Sequence, residues 1–132
     1  MKTPNALLAA CLSLACIAAQ ASEWSKLGTG EGAVVYLDKA SIIKGDKSHR
    51  VWTMRSYSKA RVTPDGKAYR SVKAMHTYAC DERTTVLLAQ VYYPDAMGKG
   101  EVVGNYKYEK FAPEDIIPDS PFDHALGAVC VP

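Results

Sequence analysis

Apolar positions follow three regimes along this chain. The first is a continuous run from Ala6 to Ala19, preceded by Met1 and Lys2 and closed by Ala19-Gln20-Ala21. The second is alternation with a period of two, the signature of strands. Ala33 to Asp38 is a β-branched and aromatic strand segment, and Ile42-Ile43 a short edge. From Arg50 to Ser58, Trp52 and Met54 share one face and Thr53 and Arg55 the other, with Trp52 the expected core anchor. From Tyr69 to Cys80, residues Val72, Ala74, His76, Tyr78 and Cys80 share a face; Ser71, Lys73, Met75 and Thr77 share its opposite. Thr84 to Tyr93 and Glu101 to Tyr108 complete the strand series. The third regime is helical. Phe122, Leu126 and Val129 recur at one-face spacing in a short segment ending near Val129.

Turn chemistry separates these segments. Thr63-Pro64-Asp65-Gly66-Lys67 places Pro before Asp-Gly, the strongest turn signal in the chain. Gly45-Asp46-Lys47 and Asp81-Glu82-Arg83 mark shorter turns, and Glu23 to Gly32 reads as a Gly-rich connection. Ser120 suits a helix N-cap, Pro121 the first helical position, and Asp123 answers the cap. A run of antiparallel strands followed by one helix is an α+β domain, expected here as a sheet of about five to six strands.

The first regime is no part of that domain. A basic start, a short apolar core and a small-x-small terminus describe a secretory signal peptide, too short to be a stable membrane span. We therefore expect residues 1–21 to be a signal peptide and residues 22–132 a single exported domain of a bacterial protein. A second reading makes the leader a lipoprotein signal. Leu8-Ala9-Ala10-Cys11 fits the lipidation box but leaves a very short apolar core, and Cys16 is better placed but has Ser13 where Leu is expected. Membrane association is then expected only through such a lipid anchor.

Export changes the meaning of the cysteines. Cys11 and Cys16 lie in the leader, leaving Cys80 and Cys130 in the mature chain. In an oxidising compartment a lone pair is expected to form a disulfide. This one closes a loop of 50 residues and staples the end of the helix to a strand. The chain-entropy model gives about 4 kcal/mol for a loop of that size.

Charge narrows the partners. Without Lys2 the basic excess falls to one residue, which argues against a dedicated nucleic-acid binder but leaves room for a local basic patch. His49, His76 and His124 sit in separate segments and read as ordinary polar or half-buried residues. No Gly-x-Ser-x-Gly elbow or phosphate-cradling glycine loop occurs, and two thiols are too few to hold a metal. No catalytic residue, cofactor or metal is expected. Lys67, Arg70 and Lys73, with Tyr69 interleaved and Tyr92, Tyr93, Tyr106 and Tyr108 nearby in sequence, form the candidate ligand-binding cluster. Tyr and Arg are enriched where proteins bind proteins, while Tyr also favours strands and Lys protects sheet edges.

The order of features resembles the bacterial surface-adhesin protein E-like family. It runs through Val35-Tyr36-Leu37-Asp38, Arg50-Val51-Trp52, Tyr69-Arg70-Ser71-Val72-Lys73 to Cys80-Asp81, Tyr92-Tyr93 to Met97-Gly98-Lys99-Gly100, and Ile117-Pro118-Asp119-Ser120 before a helix ending at Cys130. Phe111 stands where many relatives are expected to carry Trp. The resemblance implies a single antiparallel sheet with a disulfide-pinned C-terminal helix, a surface or periplasmic location and homodimerisation. It also implies an adhesin-like, non-catalytic module that binds a host matrix or envelope protein. The alternative is a periplasmic structural or accessory protein with no host ligand.

Overall fold

Two long strands organise the domain, and their length follows from the alternating patterns on either side of the Pro-Asp-Gly turn. The computed structural model describes residues 21–109 and 112–132. The signal-peptide segment up to Gln20, both leader cysteines and Phe111 lie outside the described residues. The elements are β1 (Trp24–Gly30), β2 (Ala33–Asp38), β3 (Ile43–Lys44), β4 (His49–Val62), β5 (Ala68–Ala79), β6 (Thr84–Tyr93), β7 (Gly104–Lys107), β8 (Glu114–Asp115) and helix α1 (Pro121–Val129). All strand pairs are antiparallel, in the order β1-β2-β4-β5-β6-β7. Strand β3 prolongs the β2 edge of β4, and β8 prolongs the β7 edge of β6.

The α+β reading and the single antiparallel sheet hold, but the described sheet has eight strands where five to six were expected. Strand β1 was hidden by its glycines. A register shift between Lys26 and Gly28 breaks its alternation. Its hairpin turn is Glu31-Gly32, with both residues at positive φ, 53° and 78°. That is the geometry of a tight primed turn, but Glu replaces the usual Asn or Asp at the first position. Strands β3 and β8 are two residues each, too short to carry a period. The strand expected over Glu101 to Tyr108 shortens to β7, because the preceding residues belong to a loop that folds onto the sheet.

That loop is fixed from below. Ser71 Oγ accepts from Gly98 N at 2.8 Å and donates to Asp95 O at 2.5 Å, and Met97 N donates to Ser56 Oγ at 3.1 Å. Gly98 has φ 67°, the left-handed region that favours glycine, and a Cβ there would push the end of the Lys73 side chain aside.

The helix covers the opposite face. Ala125, Leu126 and Val129 pack with Leu37, Val51, Tyr78 and Ile116 in one buried cluster. Each large apolar side chain so buried contributes about 1.5–3 kcal/mol. Val51, Thr53, Arg55 and Tyr57 therefore point toward the helix side of β4. Trp52 is not the core anchor: it lies half-buried on the other face, opposite Met75. Strand periodicity pairs residues by face, but it does not say which face a later helix will cover.

The start of α1 is capped as expected, with a shift of one residue. Ser120 Oγ accepts from Asp123 N at 3.3 Å. Asp123 answers not to Ser120 but to Asp119 N, at 3.0 Å, while its other oxygen accepts from Arg83 Nη2 at 2.6 Å. The Asp119 amide and then Arg83 hold that carboxyl below its usual range. At the other end, Cys130 N donates to Leu126 O at 2.9 Å, and the Cys80–Cys130 disulfide ties the helix to the end of β5. Among the described residues no helix is long and apolar enough to cross a membrane.

Candidate functional site

The three basic residues singled out in the sequence occupy three environments. Lys67 is exposed at the β4–β5 turn, where its amide donates to Thr63 Oγ1 at 3.0 Å. Lys73 is six residues further along β5, about 20 Å away at strand rise. Its ammonium lies over the rings of Tyr93, at 4.9 Å, and Trp24, at 5.6 Å.

Arg70 sits at an irregularity. Between the pairs Ser56–Ser71 and Arg61–Tyr69, β4 advances five residues while β5 advances two. The bulged carbonyls lose their ladder partners, and a buried or half-buried carbonyl needs a donor. Arg70 Nη2 supplies it, reaching Tyr57 O at 3.2 Å and Ser58 O at 3.3 Å. Its guanidinium is thus committed to its own fold. The structure does not bring Lys67, Arg70 and Lys73 into one patch.

It does bring together aromatic residues that the sequence scatters. On the helix side, Tyr57 of β4, Tyr69 of β5, Tyr92 of β6 and Tyr106 of β7 form a row across four adjacent strands. Ring centroids are 5.9, 4.7 and 5.6 Å apart, each pair near perpendicular. Edge-to-face pairs at such separations are worth about 0.5–1.5 kcal/mol each beyond burial. Arg61 caps one end, its guanidinium 4.2 Å from the Tyr57 ring centroid. Tyr106 Oη donates to Asp65 at 2.9 Å at the other end, which raises its phenol. Burial, and then neighbouring phenols, push Tyr92 up to about 12. Tyr92 is therefore neutral at physiological pH, and its hydroxyl donates to Gln90. Tyr57 is buried, while Tyr69, Tyr92 and Tyr106 are half-buried. The sequence signal was only an excess of Tyr on strands; the row needs the register between four of them.

A cleft of about 440 Å³ separates this row from the start of α1. Its lining includes Arg55, His76, Leu87, Gln90 and Phe122. Arg55 lies 5.5 Å over the Phe122 ring and pairs with exposed Glu31 at 3.3 Å. Gln90 Oε1 accepts from both Tyr92 Oη, at 3.2 Å, and Tyr108 Oη, at 2.9 Å. His76 packs edge-on against Phe122 with ring centroids 5.3 Å apart. Burial, and secondarily the Arg55 charge, lower its pKa to about 4, so it is a neutral packing residue. His49, His76 and His124 lie on the start of β4, on β5 and on α1. Among the described residues no group of three or more His, Cys, Asp or Glu could hold a metal ion. The arrangement offers shape, aromatic edges and hydrogen bonding, the chemistry of recognition.

Residues 24–131 match the family model described as Surface-adhesin protein E. The fold is similar to the structure of Haemophilus influenzae protein E, at 17% identity and TM-score 0.57, covering 83% of this chain and 91% of that one. A second crystal form of that protein is similar at 17% identity and TM-score 0.56, covering 83% and 95%. The structure of protein E from non-typeable Haemophilus influenzae is similar at 18% identity and TM-score 0.51, covering 81% and 83%. No curated protein matches. At these identities the structural likeness concerns the fold.

Proposed function

This chain belongs to the surface-adhesin protein E family, and from that premise we propose that it is an exported, non-catalytic module that binds a protein partner at the cell surface. The observation that carries this reading is the tyrosine row. It sets half-buried rings in fixed positions across four strands, beside Arg61 and the cleft. Tyr and Arg dominate binding hot spots, and rings already held by neighbours lose little conformational freedom on binding.

The sequence cluster enters this proposal in altered form. Lys67 and Lys73 remain candidate ligand contacts. Arg70 contributes by holding the bulge that places Tyr57 and Tyr69 side by side. The domain reaches the surface by means of the signal peptide at residues 1–21, released after Ala21 or tethered through a lipidated cysteine. The disulfide suits that oxidising destination.

The test is binding to immobilised basement-membrane extract and to isolated bacterial envelopes. Wild type is compared with Tyr106→Ala and with the Lys67→Gln/Lys73→Gln pair. The Tyr106 variant is expected to lose at least tenfold in affinity for one of the two surfaces, and the lysine pair less. Binding to neither surface, or unchanged binding by the Tyr106 variant, would remove the row from the account. Binding to envelopes alone would favour the periplasmic accessory role.

A further inference from the structure

The face of the sheet away from the helix carries a different chemistry. Cross-strand pairing defines its rungs. One runs Lys26, Tyr36, Met54, Lys73, Val91, Asn105 across all six principal strands. The next carries Trp52, Met75, Ala89 and Lys107, and beyond it Ile43, Arg50 and Thr77. Trp24 joins them through its contact with Lys73. Lys26, Arg50 and Lys107 are exposed, and Lys73 is half-buried between two rings. Both tryptophans of the chain are on this one face.

The rung positions named carry no carboxylate, and Asp38, opposite Trp24 on β2, is already used. Asp38 is buried, and its Oδ1 accepts from Glu23 N at 2.7 Å and Ala40 N at 3.1 Å. Four cations thus spread over a surface about 24 Å wide, at strand spacing, with exposed Asp95 on the loop that folds over one end of it. The net charge of the whole chain, +2, conceals this concentration.

We propose that this face binds an acidic polysaccharide, one bearing sulfate or uronate groups, with the cations on the anionic groups and the Trp and Tyr rings on the sugar faces. Beside the 95–98 loop, which covers Met54 and Ser71, the open part of this face presents separated cations that suit a repeating polyanion. Ring faces are electron-rich and attract the polarised C–H groups of a sugar. A bilayer is a poorer occupant. Trp24, Tyr36 and Trp52 are half-buried within strands, and the apolar side chain that stands clear on these rungs is Ile43, at 54% exposure. The tyrosine row that carries the protein-binding reading is on the opposite face, and Lys73, which both readings touch, is left unchanged in the variants below, so the two tests are separable.

The position of both tryptophans supplies the assay. Heparin is titrated into the full chain while intrinsic fluorescence is followed across a salt series. Dextran serves as the neutral control, and phosphatidylglycerol vesicles as the membrane arm. Heparin is expected to shift the emission and dextran to leave it unchanged. Arg50→Gln/Lys107→Gln should weaken binding at least tenfold and lower the slope of log affinity against log salt by about two. Lys44→Gln/Lys59→Gln removes the same charge away from this face and should retain wild-type affinity. All four positions are exposed, and matching unfolding midpoints will verify that the fold is intact. No fluorescence change, equal losses in the two variants, or binding to vesicles without binding to heparin would overturn the proposal.

Discussion

Acidification should destabilise this domain through one residue, His76. Its side chain is buried on the helix side of β5 at 7% exposure, packed against Phe122 and Tyr78 and close to the Arg55 charge. In the unfolded chain its pKa is about 6.5; in the folded protein it is about 4. The unfolded state therefore binds a proton in a range where the native state refuses it. Stability from this difference is complete above pH 6.5 and is lost progressively as pH falls to 4. At about 1.4 kcal/mol per pH unit, the loss approaches 3 kcal/mol. Carboxylates also titrate toward the acid end, so the comparison must be with a chain that lacks this group. His76→Phe keeps an aromatic ring against Phe122 and faces a cleft with room for it. Denaturant unfolding of both proteins at pH 7 and pH 4 isolates the imidazole. Wild type should lose about 3 kcal/mol more than the variant, and NMR should show an imidazole titrating near 4. An excess below about 1 kcal/mol, or an imidazole titrating near 6.5, would refute the reasoning.

Three other changes test separate parts of the fold. Replacing Cys80 and Cys130 together with Ala should lower stability by about 4 kcal/mol, read by urea unfolding, because the closed loop spans 50 residues. Leu126→Ala, at a site 3% exposed, should cost about 3 kcal/mol in the same assay. Arg70→Gln should cost about 1 kcal/mol by leaving the half-buried Tyr57 carbonyl without its donor, and hydrogen exchange should rise first along residues 57–61.

Much of this fold was legible in the sequence where local pattern and tertiary position agree. β2 and β6 begin and end where the β-branched runs do, and α1 begins at its Ser-Pro signal and ends at Val129. The disulfide followed from compartment and count. What failed needed long-range information. Glycines and a bulge erased the period of β1. The Trp52 face was correctly grouped and wrongly buried, because periodicity does not reveal where a helix 70 residues later will dock. Register also separates Lys67, Arg70 and Lys73, which the sequence sets side by side. Lys67 and Lys73 share strand parity with each other but not with Arg70, and three extra residues in β4 draw Arg70 inward. The tyrosine row and the cationic face are properties of register, and no single strand contains either.

On the proposed reading the domain lies outside the cell, its helix stapled and its tyrosine row open to a partner. Intact mass of the protein recovered from cells, before and after mild surface proteolysis, addresses that claim most directly. It predicts a chain beginning at Ser22 and two protons lighter than its reduced form, or a lipidated chain beginning at Cys16, and in either case one removed by protease added to intact cells. An uncleaved leader, free thiols at Cys80 and Cys130, or full protection from the protease would contradict it.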